Sequence, residues 1–164
     1  MPPADLVLHE EEYQKIREVI THLRSECNAK VVFLVDKNGQ QIAASGELEA
    51  IDTTALASLA AGNVAATDSL ARLIGEKEFS ILFHEGERDN LHISVVGGRV
   101  ILVVIFDERS SLGLVRLRVK KGSVELAAIL DIMLKKAASP RRAAAGGSPF
   151  AEITDEDIDK LFSD

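Results

Sequence analysis

Hydrophobic residues follow two rhythms along this chain, and the places where the rhythm changes divide it into elements. From Glu10 to Cys27 they recur at three- and four-residue spacing as Tyr13, Ile16, Val19, Ile20 and Leu23, with Glu, Lys and Arg between them. That period puts them on one side of an amphipathic helix, and Asn28 offers its stop. From Lys30 to Asp36 the pattern becomes a continuous run rich in β-branched residues. Lys37-Asn38-Gly39-Gln40 and a second run, 41–44, follow it. Asn-Gly between two such runs signals a hairpin, because both residues tolerate positive φ.

Asp52-Thr53-Thr54 can cap a second helix that runs to about Ile74 and stops at Gly75. Three strands are predicted next, over roughly 79–84, 91–96 and 99–106. Gly86 to Asn90 turns the first pair and Gly97-Gly98 the second. Ser110 or Ser111 opens a long helix to about Lys136, with Leu112, Val115, Val119, Leu126, Ile129, Leu130 and Met133 on one face. Gly122 weakens its middle by about 1 kcal/mol relative to Ala.

The order is thus α-β-β-α-β-β-β-α. Strands joined by tight turns must be antiparallel, and strand runs apolar on both faces need cover on both. The expected fold class is α+β, a five-stranded antiparallel sheet with helices on both faces. It spans residues 10–137, after an N-terminal extension, 1–9.

The composition shifts at Ala137. Residues 138–149 hold small residues and two prolines without apolar period, which predicts a flexible linker. Residues 150–164 are dense in Asp and Glu yet carry Phe150, Ile153, Ile158, Leu161 and Phe162. Thr154 followed by Asp157 makes a start resembling a capping box, and Ile158, Leu161 and Phe162 then share one helical face. A helix this short is marginal alone, so it is expected to form on docking into a groove of a partner. The competing reading folds the tail back onto its own domain.

Within the second helix, Leu56, Leu59, Asn63, Ala66, Leu70, Leu73 and Ile74 fall on one side, which is expected to pack on the sheet. A different stripe, Ser58, Ala61, Gly62, Ala65 and Ser69, lies about 120° round, at about 100° per residue. A solvated helix face usually carries long polar side chains, so short ones mark a surface that another backbone approaches. That neighbour is either a helix of the same chain or its twin, or a docked partner. Arg116, Arg118, Lys120 and Lys121 cluster in the first half of the last helix, either as a solvated face or as a contact for an acidic partner surface or for the acidic tail of a neighbour.

Composition narrows the function. Apolar residues make up 46% and charged residues 27% of the 164, enough for one core. A formal net charge of −7 argues against a nucleic-acid partner. The single cysteine, Cys27, suggests a reducing compartment, and is read as an apolar filler before a reactive thiol. The start lacks the pattern of a signal peptide. The most apolar run, Val100 to Phe106, is seven residues, against the ~20 a membrane helix needs. The expectation is a cytoplasmic protein without membrane insertion.

Chemistry is hard to find. His9, His22, His84 and His92 are scattered. His84 and His92 could face each other on adjacent strands, but no further ligand accompanies them, so no metal site or cofactor is expected. No Gly-x-x-x-x-Gly-Lys-Ser/Thr loop is present, and no catalytic residues are expected.

The element order resembles the roadblock family, relatives of the dynein light chains. The local sequence sharpens this: Ala29-Lys30-Val31-Val32-Phe33-Leu34-Val35-Asp36-Lys37-Asn38-Gly39, Ile51-Asp52-Thr53-Thr54 and Ala61-Gly62-Asn63-Val64-Ala65-Ala66. Leu73-Ile74-Gly75-Glu76, Phe83-His84-Glu85-Gly86, the stretch Ser110 to Arg118 and the tail from Gly147 to Ile153 extend it. These resemble a bacterial branch of the family that activates GTP hydrolysis by a Ras-like GTPase. The resemblance implies a homodimer paired through its third strands, with second helices side by side. It also implies a partner GTPase in its GTP-bound form, activated without an inserted arginine, and a place in cell polarity and motility at a cell pole. The GTPase-binding residues would then be Ser58, Ala61, Gly62, Ala65, Ser69, Arg116 and Lys120. The tail anchors Phe150, Ile153, Ile158, Leu161 and Phe162 would grip the GTPase or other polarity proteins. The alternative is a scaffold that binds without stimulating hydrolysis.

Overall fold

A computed structural model describes residues 10–145. Its order is α1 (Glu10–Cys27), β1 (Val31–Asp36), β2 (Gln41–Gly46), α2 (Thr53–Leu73), β3 (Ile81–Glu85), β4 (Asn90–Val96), β5 (Val100–Phe106) and α3 (Leu112–Ala145). The five strands form one antiparallel sheet in the order β2-β1-β5-β4-β3. This is the expected α+β architecture, with α1 and α3 on one face of the sheet and α2 on the other.

The central strands explain their own sequences. Every residue of β1 and β5 is buried, because each strand has neighbours on both edges and helices on both faces, hence runs without alternation. Val31, Phe33, Val35, Ile101, Val103 and Ile105 meet α2. Val32, Leu34, Val100, Leu102, Val104 and Phe106 meet α1 and α3, through Ile16, Ile20, Leu23, Val115, Val119 and Leu126. Full burial of each large side chain contributes about 1.5–3 kcal/mol.

The local signals are met with one adjustment. The Asp52 carboxylate accepts from the Ala55 N–H at 3.0 Å and caps α2, and Ser111 accepts from the Leu114 N–H at the start of α3. In the first hairpin only Gly39 has positive φ, at 89°, while Asn38 does not. The buried Asp36 carboxylate holds the turn instead, accepting from the N–H groups of Asn38 and Gln40 at 2.9 and 3.0 Å.

Three expectations are corrected. β3 covers Ile81–Glu85 rather than 79–84. The α3 backbone continues through Ala145, so residues 138–145, expected as linker, extend the helix. The run is rich in Ala and Arg, among the strongest helix formers, and these outweigh Pro140. Finally, His84 and His92 do not face each other. The register pairs Phe83 with His92 and His84 with Leu91, and this offset of one residue sends the two rings to opposite faces. The tail residues 150–164 lie outside the described residues.

Candidate interaction surfaces

Helix α2 has three sides, and the sheet takes the one built on Ala57, Ala60 and Val64. Ala57, Ala60 and Val64 pack on the sheet, where two alanines let the helix approach the β-branched strands closely, and Ala71 is buried further along. Of the side expected to pack there, Leu56 does meet the sheet-side core, while its later turns face outward. Leu59 is 71% exposed and Leu73 82%, with Leu70 and Ile74 also exposed. Asn63 shares that side, and its Nδ2 lies 3.5 Å from His84 Nε2 of β3, so the leucine side looks along the sheet towards the β3 edge.

The third side carries the short residues, and it divides in two. Gly39 of the first hairpin packs here: a Cβ on it would meet the Ser58 backbone at 3.2 Å and the Ala61 side chain at 3.7 Å. Close approach of the chain's own turn therefore accounts for Ser58 and Ala61. It does not account for the next turns. A Cβ at Gly62 would meet nothing within 4 Å, and Ala65 and Ser69 are exposed. Ser69 donates to the Ala65 carbonyl and accepts from Arg72 Nη2. This half of the stripe is a flat, solvent-facing floor.

β3 is the second unfinished feature. It pairs only with β4 and ends the sheet, and Ile81 on it is 48% exposed. A free strand edge with apolar side chains is a template for another strand. Phe83 is the better covered of its two outer residues, stacked on Phe106 with ring centroids 6.1 Å apart.

The comparisons with known proteins bear on what such surfaces are for. Residues 15–106 match the Roadblock/LC7 domain. The chain belongs to the roadblock family. Among solved structures, this roadblock chain is 60% identical to Myxococcus xanthus MglB, with TM-score 0.74, over 78% of this chain and 96% of that one. It is 38% identical to the gliding protein MglB of Thermus thermophilus, with TM-score 0.72, over 77% and 96%. A further MglB, described with a tetrameric arrangement, is 35% identical, with TM-score 0.74, over 78% and 96%. No curated protein matches the chain.

In this roadblock chain the seven residues assigned above to GTPase binding do not form one patch. Ser58, Ala61, Gly62, Ala65 and Ser69 lie on α2, whereas Arg116 and Lys120 lie on α3, across the sheet. Arg118 is taken up in an ion pair with Glu26 of α1 at 3.2 Å. Sequence reasoning missed the outward leucines, although one signal was available. Ala57, Ala60, Val64 and Ala71 also keep helical spacing, so α2 is apolar on two sides, and a helix apolar on more than one side is covered on more than one side.

The remaining chemistry is structural. Cys27 is fully buried, and burial first, then Glu26, pushes its thiol up to about 11. Among the described residues no group of three or more His, Cys, Asp or Glu could hold a metal ion. No helix among them is long and apolar enough to cross a membrane.

Proposed function

We propose that this chain is a homodimeric activator of a bacterial Ras-like GTPase of the MglA type, acting in cell polarity and motility. The observation that carries the reading is the bare half of α2. Gly62, Ala65 and Ser69 present an exposed floor, open above Gly62 and bordered by the Arg72 side chain at Ser69. The leucine side of α2 and the free β3 edge share one margin of the molecule, which suits a second copy. Strand β3 would pair with its twin, and the two α2 helices would lie side by side, doubling the floor. Identity of 60% to an MglB supports the same partner class.

The floor bears on mechanism. From Ser58 to Ser69 α2 carries no Arg or Lys, and the cation at the margin of the floor, Arg72, is tied to the Ser69 hydroxyl at 3.4 Å. Activation here works by holding the GTPase so that its own catalytic groups line up for in-line attack, a positional contribution to phosphoryl transfer. The test is GTP turnover by an MglA-type GTPase, alone and with the chain titrated in, comparing wild type with Ala65→Arg. Stimulation that Ala65→Arg abolishes, with the dimer intact, supports activation through α2. Binding without stimulation overturns it in favour of a scaffold.

A further inference from the structure

Two polar side chains of β4 are buried with nothing to bond. His92 is 0% exposed and neither ring nitrogen has a hydrogen-bond partner, and the Ser94 hydroxyl, two residues along the same strand face, is likewise unpartnered. Leaving such a group unsatisfied is unfavourable, so a pair of them on one face calls for a missing partner. Both line a cleft of about 450 Å³ between the β3–β4 edge and the first turns of α3. Ile81, Val95 and Val119 form its apolar walls, Arg116 and Lys120 stand over it, and no carboxylate lines it. Among the described residues neither cation is in an ion pair.

The chemistry of the lining defines its ligand. Burial, then the Arg116 charge, hold His92 below its usual range, so the ring is neutral at neutral pH and keeps one N–H to donate. With the Ser94 hydroxyl, the guanidinium and the ammonium, the cleft offers donors and positive charge beside an apolar wall. The complement is a segment that carries carboxylates and branched or aromatic side chains together.

We propose that this cleft is the docking site of the chain's own C-terminal segment, residues 150–164, whose carboxylates meet Arg116 and Lys120 while Ile158, Leu161 and Phe162 pack on the apolar wall. That segment holds six Asp and Glu against one Lys, opposite in sign to the cleft. Its length reaches the near end of the cleft. Ser123 of the lining and Ala145 are 22 residues apart on α3, about 33 Å at 1.5 Å per residue. Residues 146–153, extended at roughly 3.3 Å each, and a helical turn over 154–158 together cover about 34 Å and bring Ile158 there, with Asp159 and Asp164 beyond it towards Lys120 and Arg116. While docked, the segment keeps its own anchors from any other partner. This inference does not rest on GTPase activation, since the cleft lies across the sheet from the α2 floor, although Ile81 of its wall sits on the β3 edge that a twin would pair.

The full chain tests it without any GTPase. A spin label on Ser163→Cys is read through the amide signals of the isotope-labelled protein. Loss of signal at His92, Ser94 and Val119 is expected. Arg116→Glu with Lys120→Glu should restore those signals, and adding Asp159→Lys and Asp164→Lys should extinguish them again. Signal loss confined to α2, signal loss nowhere in the domain, or a pattern unmoved by the charge reversal would each overturn the proposal.

Discussion

Leu23 of α1 lies across Gly122 of α3: a Cβ at position 122 would stand 3.2 Å from both Leu23 methyl carbons. The glycine that looks like a weak point in α3 is therefore a place where α1 packs tightly against α3. Helix propensity favours Ala at 122 by about 1 kcal/mol, and crowding against Leu23 opposes it.

The outcome expected for Gly122→Ala is near neutrality, whereas Gly122→Val should destabilise by about 1–3 kcal/mol through overpacking. Leu23→Ala alone should cost about 2–5 kcal/mol. In that background Gly122→Ala should turn stabilising, since the opposing contact is gone. Urea unfolding of the four variants reads the coupling. Additive effects would show that the contact does not decide the residue at 122.

The exposed leucine side of α2 makes a different kind of prediction. Leu70 and Leu73 bury little in the single chain, so Leu70→Asp with Leu73→Asp should leave the circular dichroism of the folded domain unchanged. If a twin covers that side, mass by light scattering at matched concentration should fall by half. A dimer that survives both charges would place the interface elsewhere.

A charged knot joins the end of β5 to the segments after α1 and β2. Arg109 Nε bonds Asp107 Oδ1 at 3.0 Å, Arg109 Nη2 reaches Glu47 Oε2 at 3.2 Å, and the Arg109 carbonyl accepts from Asn28 Nδ2 at 2.6 Å. The Arg109 side chain, then its backbone N–H, hold the Asp107 carboxyl below its usual range. A carboxyl lowered on folding adds stability that is complete above its unfolded pKa, near 3.9, and is lost as pH falls through the folded value. The contribution is small because solvent screens the knot. Arg109→Ala should move the Asp107 titration upward, as followed by carboxyl NMR shifts. An unmoved titration would remove Arg109 as the cause.

Burial also fixes the behaviour of Cys27. With its thiol pushed up to about 11, almost no thiolate exists at neutral pH. The native protein should react with an aromatic disulfide reagent only as fast as it unfolds, and at once in denaturant. Prompt labelling of the native state would show that α1 opens at its C-terminal end.

Much of the fold was legible in the sequence. The apolar runs of β1 and β5 announce strands covered on both faces, and Asp52, Ser111 and Asn28 mark helix ends through bonds made within a few residues. These signals are local, so chain order suffices to read them. The boundary at Ala137 misled because small residues and prolines suit a linker and alanines suit a helix equally well. The candidate floor was half legible. The absence of long side chains at Gly62, Ala65 and Ser69 is a sequence fact, but the reason for Ser58 and Ala61 is the distant Gly39 turn.

The sequence by itself determined the order of elements, the antiparallel pairing through tight turns and the two-sided burial of the sheet, because each follows from periodicity and short connections. Only the tertiary structure decided which side of α2 meets the sheet. Both of its apolar sides keep helical spacing, and close packing on β-branched strands selects the alanines and turns the leucines out. It also decided that His84 and His92 part to opposite faces, since strand register depends on a one-residue offset. The same register buries His92 and Ser94 beneath Arg116 and Lys120, four residues whose meeting depends on how α3 lies across β4.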